Sequence, residues 1–368
     1  MDVTRGPLGD EVGPRKTVLL REPRVGLEAI VVVDNIACGP AIGGVRMAPD
    51  VTLEEVGRLA RAMTYKNAAA GLAHGGGKAG IIADPSCPAA RKEALVRAFA
   101  RMISELTEYI PGPDMGTDET CMAWVKDEID RAVGLPRVVG GIPLDEIGAT
   151  GFGLAVAAEV AAKESGLDLA GTCAAIEGFG AVGQHAARFL AKRGVRLVAT
   201  SDSRGAIHNP AGLDIEALIA HKRAGLPVSA FPNGRSLGCE ELVAVPCDIW
   251  IPAARPDTLT PDNVGRLQAK LVLQGANIPA TEAAEHWMHA HGILSVPDFV
   301  ANAGGVICAA VEYHGGTEST VFSIIDEKIR ANTLETLRRA RREGIPPRAA
   351  ATQMARSRVQ EAMRYRKY

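Results

Sequence analysis

Two lysines in one glycine-rich stretch are the residues of this chain best equipped for chemistry. Met63 to Pro85 reads MTYKNAAAGLAHGGGKAGIIADP, with Lys66 and Lys78 twelve residues apart. Lys66 falls late in a helical run in which Leu59, Ala60, Met63 and Ala70 recur near the 3.6 period and Gly71 offers the stop. Gly75, Gly76 and Gly77 are too costly for a helix interior and read as a bare loop that a ligand can approach closely. Lys78 leads from that loop toward the buried strand residues Ile81 and Ile82. Two ammonium groups facing one pocket disfavour each other's charge, and desolvation pushes the same way. A lysine in that position becomes a general base near neutral pH, and a carboxylate-bearing substrate supplies the missing negative charge. The alternative reading is a flexible loop with two solvated lysines.

An acid joins them. Asp114, in YIPGPDMGT, follows a short strand and stands between proline and glycine, so a rigid turn presents its side chain. A turn-forming or capping aspartate is the commoner use of such a residue. Gly43 and Gly44, in AIGGVRM, are a second pair of glycines that permits ligand approach.

The other chemical signature is GFGAVG, Gly178 to Gly183 with Gly180 between them, a GxGxxG run after the strand-like TCAAIE. A helix, a strand and then Asp202 follow, nineteen residues beyond Gly183. Strand, glycine fingerprint, helix, strand and acid in that order predict a dinucleotide fold with pyrophosphate on the helix N-terminus. Asp202 is then expected to accept a hydrogen bond from the adenosine ribose and to favour NAD over NADP, which Arg204 softens. Further strands end at Ala253 and Ala254, at Asn277 and at Asn302, where amides can reach nicotinamide, ribose or substrate.

The elements that must position these groups form an α/β chain. A strand is expected over 26–34, and a helix opens at Thr52 with Glu55 completing a capping box. Helices are expected over 89–106 and 122–133. Glycines and prolines cluster near Val138, which places a domain boundary there. The expected organisation is 1–137 with 332–368 as a first α/β domain, and 138–331 as a Rossmann-like domain. The arginine-rich C-terminal helices return to the first domain. Two domains also suit 368 residues.

Composition narrows the class. Hydrophobic content of 47% and charged content of 23% describe an ordinary globular protein. Net charge −2 and 4% aromatics argue against a nucleic-acid surface. Seven scattered cysteines suit a reducing compartment. The N-terminus has no apolar signal region, and no run of 18 apolar residues occurs, so the expectation is a cytoplasmic protein without a membrane partner. His286, His289 and His291 lack a Cys or acid to complete a ligand set, so no metal is expected.

Lys66, Lys78, Asp114 and GFGAVG, in that order, resemble the amino-acid dehydrogenase family that acts on glutamate, leucine, phenylalanine or valine. MTYKNAAAGL…GGGK resembles the leucine dehydrogenase segment, PDFVANAGGV matches the family, and SDSRGAIHNPAGLD looks closer to glutamate dehydrogenases. The resemblance implies NAD-dependent oxidative deamination of an L-amino acid to its 2-oxo acid and ammonia. It implies that Lys66 binds the substrate carboxylate, that Lys78 activates water, and that Asp114 handles protons at the amine. It places Thr150 and Asn277 near the nicotinamide, and a substrate-binding, oligomerising first domain in a homo-oligomer. Ala181, Val182 and Ser203 complete the expected cofactor set, and Met63, Gly43, Gly44 and Asn302 the substrate set. Glutamate-specific members carry a lysine where this chain has Ile42, and a serine where it has Ala309. A side-chain carboxylate would meet apolar walls there, so an apolar substrate is expected, in a pocket of Ile42, Gly112, Val306 and Ala309. Glutamate is the alternative substrate, and a non-catalytic nucleotide-binding regulatory subunit is the alternative of another class.

Overall fold

The computed structural model describes residues 9–366. Two compact units divide the chain. The first comprises the residues up to Pro143 with Val306–Val321 and Gln353 onward, and the second comprises Leu144–Gly305 with Phe322–Thr352. The division thus falls at 143/144, a few residues beyond Val138, and the segment 322–352 groups with the second unit.

The first unit runs β1 (Lys16–Glu22), β2 (Leu27–Asn35), β3 (Ala41–Ala48), α1 (Leu53–Ala69), β4 (Gly75–Ile82), α2 (Ala89–Met102), β5 (Tyr109–Pro113) and α3 (Glu119–Ile129). Among the described residues its sheet has the order β1-β2-β4-β3-β5. β1 and β2 pair antiparallel, as do β2 and β4, while β3 lies parallel to both β4 and β5. β2 carries the β-branched run Ile30 to Val33 and is covered on both faces, as such runs require. One face packs Val31, Val33, Met47, Ile81, Phe99, Tyr109 and Met122. The other packs Ile30, Val32, Val51, Val56 and Ala60, the last two on α1.

Several local expectations change. The Gly75-Gly76-Gly77 run is not a loop but the first part of β4. A Cβ on Gly76 would stand 2.0 Å from the Thr64 nitrogen of α1, and one on Gly77 would stand 2.9 Å from the Tyr109 ring. These glycines let a helix and a neighbouring strand approach closely, which outweighs their backbone entropy. The Thr52 capping box is half made. Thr52 Oγ1 accepts from the Glu55 N–H, but the Glu55 carboxylate turns to Arg46. Helix α2 stops at Met102, and α3 starts at Glu119 behind the Asp118 cap and stops at Ile129. Strand β1 has no counterpart among the expected elements.

The second unit runs α4 (Leu144–Ile147), α5 (Ala149–Glu164), β6 (Cys173–Glu177), α6 (Ala181–Ala191), β7 (Arg196–Asp202), β8 (Gly205–His208), α7 (Ile215–Arg223), β9 (Arg235–Leu237), β10 (Ile249–Pro252), β11 (Leu271–Leu273), α8 (Glu282–Ala290), β12 (Leu294–Val296) and α9 (Asp298–Ala301). Three helices close the chain: α10 (Gly304–Tyr313), α11 (Glu318–Glu343) and α12 (Pro347–Tyr365). The second sheet has the order β12-β11-β10-β6-β7-β8-β9 among the described residues. The members from β12 to β7 run parallel, and β8 and β9 add an antiparallel edge. Strand order reverses between β6 and β10, which is where open α/β sheets take ligands.

Candidate functional site

The first unit assembles a charged chain around Lys78. β4 alternates its side chains, so Gly76 and Gly80 share a face with Lys78. A Cβ on either would collide with the segment leading into α1 or with α1 itself: at Gly76 with Thr64, at Gly80 with Val51 and Val56. With both glycine, α1 lies close over β4 and buries Lys78, whose side chain is 7% exposed. The Lys78 Nζ lies 2.9 Å from Oδ2 of Asp114, which the turn after β5 presents. Asp114 N donates to Thr117 Oγ1, and Thr117 Oγ1 donates to the Val45 carbonyl at 2.7 Å, tying the turn to β3.

Two residues that the sequence does not assign to this site complete it. Arg46 of β3 donates from Nε to the same Asp114 Oδ2 at 3.0 Å, and its Nη1 pairs with Glu55 of α1. No local pattern announces them, since Arg46 and its partners are separated by 9 and 68 residues. Burial is the largest influence on Lys78 and pushes its pKa down; the Asp114 carboxylate opposes this, and burial wins. For Asp114, burial pushes upward, but Lys78 and Arg46 reverse it and hold the carboxyl below its usual range. The result is a carboxyl held below its usual range beside a lysine whose pKa burial lowers.

Gly44 makes room for this pair. A Cβ there would stand 2.7 Å from the Asp114 Cβ and 3.2 Å from Lys78 Nζ. Gly43 sits against the Gly77 carbonyl and receives the Tyr109 hydroxyl at its own carbonyl, 2.8 Å away. These two glycines serve close packing of the sheet. Lys66 and Met63 lie half-buried on α1, Lys66 in its last turn. Ile42 is 4% exposed on β3, Ala309 is buried on α10 and Val306 is half-buried there. A Cβ on Gly112 would stand 3.1 Å from Val133 Cγ2.

The second unit builds the dinucleotide site at its switch point. Gly178 takes φ +90°, and a Cβ there would meet Ala253 and Ala254 at the end of β10. A Cβ on Gly183 would lie 2.0 Å from the Gly178 carbonyl, so only glycine lets α6 sit this close to the loop. Among the described residues nothing lies within 4 Å of a Cβ built on Gly180, the residue before α6. Ala181, Val182 and Gly183 therefore begin a helix whose first N–H groups face an open cradle, which fits a pyrophosphate. Asn302 is 4% exposed and donates to the carbonyls of Gly275 and Ala276 and to Asn277 Oδ1. Its own Oδ1 is buried and has no partner among the described residues. Thr150 opens α5 near Gly305, and Asn277 is exposed. These residues fit a nicotinamide dinucleotide.

Asp202 has partners within its own unit. Its Oδ2 accepts from Lys222 Nζ at 2.5 Å and from the Val228 N–H, and its Oδ1 accepts from the Arg204 N–H. Burial pushes this carboxyl upward, but these donors reverse the effect and hold it below the usual range. Lys222 thus already neutralises the charge expected to meet a ribose. Ser203 and Arg204 are exposed beside it. Elsewhere in this unit, His286, His289 and His291 do not converge: His291 stacks on Trp287, and His286 lies 3.8 Å from Glu282. Among the described residues no cluster of metal-ligating side chains occurs, and no helix is long and apolar enough to cross a membrane.

A doubly wound unit with a glycine cradle, and a unit holding a desolvated lysine against an acid, are the parts of a nicotinamide-dependent dehydrogenase. The profile of the Glutamate/Leucine/Phenylalanine/Valine dehydrogenase family matches residues 140–367, and that of the family's dimerisation domain matches 19–131. A glutamate dehydrogenase of Aeropyrum pernix is 38% identical over 355 residues, covering 90% of this chain and 85% of that protein. The hetero-hexameric glutamate dehydrogenase of Thermus thermophilus, solved in a leucine-bound form, superposes with a TM-score of 0.86 at 31% identity, over 96% of this chain and 90% of that one. The L-tryptophan dehydrogenase of Nostoc punctiforme gives 0.75 at 26% identity, over 96% and 97%. The chain belongs to the Glu/Leu/Phe/Val dehydrogenase family of amino-acid dehydrogenases, which use a nicotinamide cofactor.

Proposed function

We propose that this chain catalyses the reversible, NAD-dependent oxidative deamination of an apolar L-amino acid, leucine, valine, isoleucine or phenylalanine, to its 2-oxo acid and ammonia. The observation that carries the reading is the buried Lys78–Asp114 pair. Lys66, on α1, holds the substrate carboxylate. A dinucleotide held by its pyrophosphate on the Gly178–Gly183 cradle would supply, in its nicotinamide, the acceptor for the hydride of the substrate Cα. Lys78, uncharged, takes a proton from the water that adds to the imine carbon. Asp114 exchanges protons with the substrate nitrogen as ammonia leaves. The role of Lys78 draws on the lowering of its pKa by burial, and that of Asp114 on a carboxyl that its cations hold below the usual range.

The apolar preference rests on Ile42 and Ala309, both buried and without charge. A side-chain carboxylate between them would lack a partner, which is costly. Glutamate is the second reading, favoured by the relatives that carry that name. NAD is the proposed cofactor, with NADP also admitted because Lys222 cancels the charge of Asp202. A homo-oligomer in the cytoplasm completes the proposal.

The test is the initial rate of NADH formation at alkaline pH with leucine, valine, phenylalanine and glutamate in parallel, repeated with NADP. Turnover of the apolar substrates with glutamate silent is the expected result. Turnover of glutamate alone would overturn the pocket assignment. Silence from all four, with NADH still binding, would favour a regulatory subunit.

A further inference from the structure

Four side chains alternate in sign across the first unit: Glu55, Arg46, Asp114 and Lys78. The two cations meet the same oxygen, Asp114 Oδ2, at 3.0 Å from Arg46 and 2.9 Å from Lys78. Arg46 uses both edges of its fork, Nε toward Asp114 and Nη1 toward Glu55, so its plane is fixed between β3, α1 and the turn after β5. It is largely buried, with a side-chain exposure of 17%.

We infer that Arg46, anchored by Glu55, is a positioning residue for this reaction: it holds the negative charge of Asp114 whenever Lys78 is neutral. This rests on the amino-acid dehydrogenase reading above. The argument is electrostatic. Were Lys78 the sole partner of Asp114, the loss of its proton to solvent would strand a buried carboxylate, which is strongly unfavourable. Lys78 would then stay an ammonium and could not act as a base. A guanidinium does not deprotonate in proteins, so its attraction for Asp114 survives when the lysine's charge is gone. Arg46 also repels the ammonium form of Lys78 directly. Glu55 limits that repulsion and aims Nε at Asp114.

The groups facing Lys78 are accounted for element by element. Asp114 comes from the turn after β5, Arg46 from β3, and Glu55 from α1, which also carries Lys66. β5 adds the Tyr109 phenol, which donates to the Gly43 carbonyl. β2 places Val32 opposite Lys78, and its Asp34 is taken up by Arg61 and Thr64.

The experiment measures two pH profiles in the wild type and in Arg46→Gln, Arg46→Lys and Glu55→Gln. One is kcat/KM for amino-acid oxidation. The other is the rate at which acetic anhydride labels Lys78, read by mass spectrometry. In Arg46→Gln the acid limb of both profiles should move up by about one pH unit, the scale of a lost close charge. Arg46→Lys should restore most of that shift, and Glu55→Gln, removing a negative charge, should move the limb the other way while lowering kcat. Unchanged midpoints with only a lower amplitude would overturn the inference, as would Arg46→Lys behaving like Arg46→Gln. Should Arg46→Gln not fold, a Glu55→Gln midpoint coincident with wild type in both profiles decides against it. If the wild type oxidises no amino acid, the functional reading fails on its own, while the labelling profile still reports how Arg46 acts on Lys78.

Discussion

At the scale of single residues, the site is shaped as much by missing atoms as by charged ones. Gly44 is the clearest case. Its hydrogen occupies the place where a methyl group would press on Asp114 Cβ, the Pro113 carbonyl and Lys78 Nζ together. Two of those contacts would fall under 3.0 Å, and the Pro113 backbone is held in β5. Asp114 must therefore move, and with it the oxygen shared by Lys78 and Arg46. Gly44→Ala is expected to lower kcat by about 100-fold, as misplacement of about 1 Å does. It should also cost on the order of 1–3 kcal/mol in stability, the usual range for overpacking. Steady-state kinetics with a urea titration checks both; wild-type kcat would show that Asp114 is not the acid that matters. Ile42 argues at the same scale about the substrate. Ile42→Lys with Ala309→Ser would give a second carboxylate partners, so the ratio of kcat/KM for glutamate over leucine should rise, by about 100-fold where a buried charge gains its counterion. An unchanged ratio would move the pocket elsewhere.

At the scale of elements, the β7 terminus decides how cofactor preference is read. Asp202 ends β7 and Lys222 lies on α7, so their contact depends on how the helix packs beside the strand. Asp202→Ser frees Lys222 to meet a 2′-phosphate, and the NADPH/NADH ratio of kcat/KM should rise by about tenfold, the value of one charge-assisted contact. Adding Lys222→Met should remove the gain. A rise that survives in the double variant would mean that removing the negative charge is enough. This contact also shows why some features were legible in the sequence and others were not. The order from TCAAIE through GFGAVG to Asp202 is local, and each step has its own signal, so the dinucleotide unit could be read directly. The Lys78 and Asp114 candidates rested on type and presentation, and the fold then joined them. The Lys222 and Val228 partners of Asp202, and the Arg46–Asp114 contact, join segments 20, 26 and 68 residues apart that local signals do not connect. Gly75–Gly77 misled for the opposite reason. Backbone entropy argues against glycine in a strand, and here tertiary packing against Thr64 and Tyr109 outweighs it.

At the scale of the chain, the first unit is closed by segments far apart in sequence. Arg358 of α12 donates to the carbonyls of Ala68 and Ala69, at the end of the helix that carries Lys66. A cation at the negative end of α1 is favourable there. His314, just past α10, meets His74, just before β4, with their Nε2 atoms 3.0 Å apart. His74 is buried, and its Nδ1 donates to the Pro40 carbonyl, so its Nε2 is the acceptor for His314. Burial is the largest influence on His74 and pushes its pKa below 6.5; the Pro40 carbonyl opposes this, and His314 adds to the lowering. In the unfolded chain His74 regains its ordinary value, so there it binds its proton more readily than in the fold. The stability it contributes is therefore fully present above about pH 6.5 and is lost as pH falls through its lowered folded value. Melting temperature should fall on going from pH 7.5 to pH 5, by several degrees. His74→Asn should flatten that slope, because it keeps a donor for Pro40 without a group that titrates. The check is thermal unfolding of wild type and His74→Asn across that range. Equal slopes in the two proteins would place the acid sensitivity of the fold outside this pair.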